Sequence, residues 1–378
     1  MAFPVFKPFL GPEELAACAA ALDSKYLGMG SFVGEFERSL TNMLELDDDR
    51  HVVTFSTGHA AMHLGLLAIG VGPGDEVITP SFNNIADFQA IDATGAEPVL
   101  CDVDEHSLCI DPAGIGELIT HKTKAIVAMD YGARLANHTA VSKVASDAGI
   151  PVFHDAAHSF GSRFGGKPVG HHAKLTMLSF DPIKNITCID GGALVIDDTT
   201  LIEPLREMRL IGMSQRIQAS YSNRRDWGYD VTRLGFRYHL ANLHAAVGLS
   251  QISKFTDIRN RRRKLYEAYF ERLDVLPGCM TQGALADDIV PFIMCFRVPA
   301  RQREGLKSHL LKFGIETGIH WKPGHRFTRY KNSRSGGLNV TNRIADEIIS
   351  LPFYPDLTLE NVNFICDKIQ GFFTKPCF

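Results

Sequence analysis

Short apolar runs alternate with amphipathic stretches through most of the chain. Residues 51–55 (HVVTF) form one such run and read as a strand. It leads into Ser56-Thr57-Gly58 and a helical pattern that begins at His59. Residues 72–80 (GPGDEVITP) read as a turn and a strand. Further strands are expected at 98–103, 124–131 and 151–155, with helices at 112–120 and 138–149 between them. Apolar runs at 175–180 and 193–197 extend the set, and 201–212 reads as a helix. Strands alternating with helices predict an α/β fold with a mostly parallel sheet wrapped by helices.

The flanks follow a helical period. Residues 12–44 carry two helical patterns, with Leu15, Cys18 and Leu22 on one face of the first. Residues 241–273 form one long helical pattern, apolar at Leu243, Ala246, Val247 and Ile252. After it, 289–298 reads as a strand, 301–313 as a helix, 346–349 as the end of another, and 359–372 as the last helix. The length of 378 residues suits two domains. The expected division is a large domain over 1–240, with an N-terminal helical segment, and a linking helix with a small α+β domain over 241–378.

Composition narrows the classes. Hydrophobic residues make up 45% and charged ones 22%, as in ordinary globular proteins. A net charge of −4 leaves no electrostatic footprint for nucleic acid. The basic run at 259–264 (RNRRRK) lies in the long helical pattern and reads as a solvated or interface face. Eight cysteines are scattered without a CxxC pair, so a reducing, cytoplasmic setting is expected. No charged-then-apolar leader opens the chain, and no run is long enough to span a membrane.

Candidate chemistry is concentrated in 152–195. Asp155 ends one apolar run, Ser179 lies inside the next, Lys184 follows in a loop, and Gly191-Gly192 opens a third. Such folds place their chemistry at or just beyond strand ends. A lysine and an acid there suit pyridoxal 5'-phosphate, which takes a lysine as a Schiff base and an acid at its ring nitrogen. Taken alone, an Asp at a strand end is more often a helix cap, and a loop Lys is usually solvated.

The segments HDAAHSFGS from His154, LSFDPIKN from Leu178 and DGGALV from Asp190 resemble the cofactor core of the DegT/DnrJ/EryC1/StrS sugar aminotransferases. These are pyridoxal-phosphate enzymes of the aspartate aminotransferase fold type I, and the resemblance runs nearly end to end. It implies a seven-stranded sheet in the large domain, Lys184 as the Schiff-base residue and Asp155 on the ring nitrogen. It places Gly58, His59 and Ser179 at the cofactor phosphate, joined by Arg237 from a partner subunit, and His158 near the ring hydroxyl.

The family has Gly-Thr where Gly58-His59 stands, so here an imidazole replaces a hydroxyl. It usually has a ring-stacking aromatic at Asn84; either Asn84 covers the ring, or a neighbour such as Phe82 or Phe88 turns in. Its Gly-Tyr-Asn-Tyr-Arg is Gly235-Phe236-Arg237-Tyr238-His239, and on charge Arg237 is a better anion ligand than Asn. This segment follows a polar, aromatic loop at 220–227.

The run from His320 to His325 (HWKPGH) resembles the family's His-Tyr-x-Pro-x-His loop, which makes His320, Trp321 and His325 substrate-facing. Its two histidines lack an acidic third ligand, so no metal is expected. The implied activity is transfer of an amino group from L-glutamate to a nucleotide-linked keto sugar, in amino-sugar and polysaccharide biosynthesis, by a homodimer with shared sites. Two alternatives stand beside it: a sugar dehydratase of the same family, which has His where Lys184 stands, and a non-catalytic cofactor-binding regulator.

Overall fold

A computed structural model describes residues 2–214, 221–224 and 227–374. Seven strands form the central sheet: β1 (His51–Phe55), β2 (Glu76–Pro80), β3 (Glu97–Cys101), β4 (Thr123–Met129), β5 (Val152–Asp155), β8 (Leu175–Ser179) and β9 (Gly192–Ile196). A small hairpin, β6 (Arg163–Phe164) with β7 (Lys167–Pro168), lies between β5 and β8 in the chain. The sheet order is β1-β9-β8-β5-β4-β2-β3. Only β9 runs against the rest, antiparallel to β1 on one side and β8 on the other. The carboxyl ends of the other strands and the start of β9 therefore share one edge.

Strands β5, β8 and β9 are buried along their whole length, which explains continuous apolar runs in place of alternation. Parallel neighbours need long crossovers. Four helices lie in them: α3 (Gly58–Ala68), α4 (Ile85–Ala93), α5 (Pro112–Leu118) and α6 (His138–Asp147). Each begins at a side chain that accepts a backbone N–H: Thr57, Asn84, Asp111 and Asn137. Pro112 follows its cap directly, where a missing N–H costs nothing.

The chain opens with α1 (Pro12–Asp23) and α2 (Ser31–Met43). The apolar face expected of α1 is turned outward, with Leu15 74% and Leu22 50% exposed. Glu14 and Ala21 are buried instead. Glu14 bonds the Gly11 N–H at 2.7 Å and the Lys254 amine at 2.7 Å, so capping and an ion pair set the rotation of this helix. After β9 comes α7 (Ile202–Met208). Of the 220–227 loop, Ser220, Arg225 and Asp226 lie outside the described residues.

The long pattern at 241–273 is two helices, α8 (Asn242–Ser253) and α9 (Phe255–Leu273). They break at Lys254, the residue that turns back to Glu14. The basic run is partly internal. Arg262 is buried between the rings of Phe292 and Phe353, and Arg263 bonds the carbonyls of Ala286, Asp287 and Ile289.

The C-terminal part contains β10 (Met294–Arg297), α10 (Ala300–Leu311), α11 (Asn339–Glu347), β11 (Ile348–Leu351) and α12 (Leu359–Phe373). The expected strand at 289–298 pairs only over β10, and 348–349 begins a strand where a helix end was expected. Ile348 and Ile349 are buried, and extended backbone lets β11 pair with β10. The core here contains Phe296, Leu310 and Ile369, and also Phe3. Phe3 bonds Gly314 O and Glu316 N, and Val5 O accepts from Phe353 N.

Candidate active site

The shared sheet edge sets Asp155, Ser179, Phe55 and Gly192 side by side, since Gly192 pairs with both Phe55 and Ser179. Beyond Phe55, Thr57 Oγ1 accepts the Ala60 N–H at 2.9 Å and starts α3. The turn packs closely on the sheet. A Cβ at Gly192 would lie 2.4 Å from Thr57 O and 2.6 Å from Gly58 N. A Cβ at Gly58 would lie 3.0 Å from Ser179 Cβ. Glycine at both positions lets the helix N-terminus sit against Ser179. That end carries unpaired N–H groups and the positive end of the dipole.

A cavity of ≈ 370 Å³ opens at this edge. Gly58, His59, Asn84, Asp155, His158, Ser179, Lys184, His320 and Trp321 all line it, so the structure brings together most of the residues singled out from sequence. A larger cavity of ≈ 500 Å³, around Asp104 and Gln282, has no lysine in its lining, so chemistry and not volume selects the site.

Lys184 is half-buried, with its amine 4.4 Å from the centroid of the Phe292 ring. Burial lowers its pKa, against the pull of Asp155, Asp181 and Asp87. Asp155 is buried, and its Oδ1 accepts the Ala157 N–H at 2.9 Å. Burial raises its pKa despite that bond and the Lys184 charge.

His158 is buried, and its Nδ1 accepts the Gly132 N–H at 3.4 Å. Burial, then Lys184 and His320, push its pKa well below the usual imidazole range. The ring is thus neutral, and Nε2–H is its donor. His59 donates Nδ1–H to Ala86 O at 3.0 Å. Asn84 is occupied as a cap, its Oδ1 accepting the Ala86 N–H at 2.9 Å. Neither Phe82 nor Phe88 lines the cavity; each is buried against a tyrosine, Tyr131 and Tyr330 respectively. The aromatic wall comes instead from Trp321, stacked on His158 at 5.9 Å.

His320 is tied by Nδ1 to Ser350 Oγ at 2.9 Å and by its carbonyl to Tyr131 Oη. Burial, then Lys184, bring its pKa down to about 4. Trp321 Nε1 is buried without an acceptor among the described residues. His325 is not part of the lining. Its Nδ1 meets Ser81 Oγ at 2.8 Å and its Nε2 meets Asn342 Oδ1 at 3.0 Å, so both nitrogens hold the C-terminal part against β2. Arg237 is exposed and lines a separate surface cavity with Tyr26 and Trp227.

Sequence reasoning did not single out Asp87, Asp181, Asp190 or the methionines Met129 and Met177, all of which line the cavity. Asp87 stands three residues after the Asn84 cap, the usual place of a first-turn acid, and nothing local marks it as internal.

No helix among the described residues is long and apolar enough to cross a membrane. Residues 8–370 match the DegT/DnrJ/EryC1/StrS aminotransferase family. The fold is similar to that of TlmJ, an aminotransferase from Streptoalloteichus hindustanus, with 28% identity, TM-score 0.90 and 98% of each chain covered. It is similar to that of PseC from Helicobacter pylori, an aminotransferase involved in pseudoaminic acid biosynthesis, with 25% identity, TM-score 0.90 and 99% of each chain covered. DesV from S. venezuelae shares 30% identity at TM-score 0.87, over 96% of this chain and 95% of its own. These likenesses support a sugar aminotransferase of fold type I, and the family is pyridoxal-phosphate-dependent. The chain belongs to the DegT/DnrJ/EryC1/StrS aminotransferase family.

Proposed function

We propose that this protein is a pyridoxal-phosphate-dependent aminotransferase that moves an amino group from L-glutamate to a nucleotide-linked keto sugar. The observation that carries the cofactor reading is one cavity lined by a depressed lysine, a buried carboxylate and a glycine-opened helix N-terminus. Those residues fit the three parts of the cofactor: aldehyde, ring nitrogen and phosphate. When bound, pyridoxal phosphate supplies a carbonyl that links amines and a ring that accepts electrons from the substrate carbon.

Lys184 would act first as a nucleophile, and burial, which lowers its pKa from the ordinary lysine value, makes the neutral, reactive form easier to reach. Once displaced by substrate, its Nζ takes a proton from the substrate carbon and returns it, as general base and then acid. Asp155 holds positive charge at the ring nitrogen. The α3 N-terminus and Ser179 Oγ bind the phosphate. His158 donates Nε2–H toward the ring hydroxyl, and His59 lies beside the phosphate seat. Met129, Met177, Ile183 and Trp321 line the cavity and limit its water. Trp321 Nε1, buried and unpaired among the described residues, is a donor for a polar substrate edge.

The working unit in this reading is a cytoplasmic homodimer in which Arg237 reaches the phosphate seat of a second copy. Supporting it, Trp227, Val231 and Leu234 are 74%, 57% and 77% exposed close to Arg237 in the chain, apolar side chains that a second copy would cover. Full activity in a species that sedimentation shows to be monomeric would refute the shared site.

The test of the reaction is a half-reaction series. Protein loaded with pyridoxal phosphate is mixed with glutamate, and the visible spectrum is followed to the amine form. A nucleotide-linked keto sugar should restore the starting spectrum, while pyruvate and oxaloacetate should not. Restoration by simple 2-oxo acids alone would remove the protein from sugar chemistry.

A further inference from the structure

Asp87 is 2% exposed in the first turn of α4 and lies in the lining of the same cavity as Asp155 and Lys184. Its Oδ2 accepts Asn83 Nδ2–H at 2.8 Å, and Asn83 is itself fully buried. The Asp155 carboxyl is within hydrogen-bonding reach of the Asp87 carboxyl. Asp155 Oδ1 also accepts the Ala157 N–H. Two carboxyl groups in contact can bond each other only if one carries a proton.

Resting on the cofactor reading above, we propose that Asp87 is a positioning residue that holds one proton and donates it to Asp155, so that the pair presents a single negative charge to the ring nitrogen. The groups around the pair agree on where the proton sits. Burial opposes ionisation of both carboxyls, and the difference lies in their partners: Asp155 has a backbone N–H donor and the stronger pull of Lys184, both of which favour its anion. Asp87 has burial and then the Asp155 charge against ionisation, while Asn83 and Lys184 favour its anion. The helix N-terminus also favours an anion at Asp87, but it is outweighed by a second charge in a buried site. Around them, His158 and His320 have lowered pKa values and are neutral near pH 7, and Asp130 is a more distant anion behind Asp155. With Lys184 protonated, one shared proton leaves the cluster of Lys184, Asp155 and Asp87 neutral.

The chemical consequence concerns the basicity of Asp155. An acid that already accepts a hydrogen bond from a neutral carboxyl competes less well for the ring proton. The proton then stays on the ring nitrogen, as electron withdrawal requires. Asp87 touches neither the ring nor the substrate in this account and acts through Asp155.

Two measurements separate this proposal from the cofactor reading. In the first, infrared difference spectra compare apoprotein and Asp87→Asn at pH 7, with carbon-13 aspartate to identify the band. The wild type should show a protonated, buried carboxyl that the variant lacks; no difference band would overturn the shared proton. In the second, ring-nitrogen-labelled pyridoxal phosphate is bound to wild type, Asp87→Asn and Asp87→Leu, and the nitrogen-15 shift is followed against pH. Asp87→Asn, which still donates through its amide, should keep the ring nitrogen protonated near neutral pH. Asp87→Leu should lose that state at a lower pH and bind the cofactor about tenfold more weakly, from the loss of a donor to a charged acceptor. Identical shifts in all three proteins would overturn the positioning role. Failure of the wild type to bind the cofactor would overturn the proposed function and leave the infrared result to decide the proton. If Asp87→Leu does not fold, the infrared comparison with Asp87→Asn still decides it.

Discussion

Replacing Glu37 by Gln should cost much of the protein's stability. Glu37 reaches from α2 into a closed site under β1, where its Oε1 accepts from Thr54 N at 2.9 Å, Thr54 Oγ1 at 2.8 Å and Arg209 Nη1 at 2.8 Å. Its Oε2 accepts from Tyr221 Oη at 2.6 Å. Arg209 is wholly buried and bonds Thr54 O as well. Gln keeps the shape and most acceptors but leaves the guanidinium without a counter-charge. Removing one member of a buried ion pair costs about 3–5 kcal/mol, a large share of an overall stability of roughly 5–15 kcal/mol. The double variant Glu37→Gln/Arg209→Met should recover much of the loss, because no buried charge is stranded.

Equilibrium urea unfolding, followed by circular dichroism, measures all three proteins at fixed pH. The sign of the pH dependence is a second check. Burial raises the Glu37 carboxyl, but Arg209, Tyr221 and Thr54 together bring it below the ordinary carboxylate range. The stabilisation is therefore complete above the ordinary Glu value of about 4.3 and is lost as pH falls through the lower folded value. In Arg209→Met burial acts with less opposition and the carboxyl rises, so that variant should lose stability as pH increases. A cost below about 1 kcal/mol for Glu37→Gln, or no recovery in the double variant, would refute the reasoning.

Three further outcomes follow from the cavity. Borohydride treatment of the loaded protein should fix the cofactor to Lys184, and Lys184→Ala should lose that adduct; mass mapping to Lys167 or Lys174 would contradict the assignment. Asp155→Asn should keep some cofactor but lose roughly two to three decades of turnover, since losing a buried charge partner costs a few kcal/mol; near-normal rates would remove Asp155 from its role. Gly192→Ala would drive a Cβ into the backbone of Thr57 and Gly58. It should cost about 1–3 kcal/mol in melting experiments and weaken cofactor binding, and an unchanged affinity would show that this turn does not seat the phosphate.

Much of the fold was legible because buried parallel strands leave continuous apolar runs between capped helices. Lys184 and Asp155 were legible because each stands at or just past the end of such a run. What sequence could not supply depends on contacts between distant residues. Asp87 looks like any first-turn acid until the fold sets it against Asp155. His325 looks like a substrate ligand until Ser81 and Asn342 take both its nitrogens. The break between α8 and α9 has no proline or glycine to announce it; it lies at the residue that binds Glu14. The outward turn of Leu15 and Leu22 follows from the same Glu14, because one ion pair rotated a helix that hydrophobicity alone would set otherwise.

The contacts of Phe3 and Val5 with residues 314–316 and 353 bear on how the chain is made. A ribosome adds about 5–20 residues per second, so Phe3 waits roughly 15–60 s for the segment it pairs with. Through that interval the Val5 carbonyl also lacks its partner, the Phe353 N–H. The seven sheet strands, by contrast, are all synthesised once Ile196 is added. Lys184, Asp155 and Asp87 are therefore made well before His320 and Trp321, the residues that wall the cavity from the C-terminal side. During synthesis the future site passes through a stage in which its chemical groups exist and its wall does not.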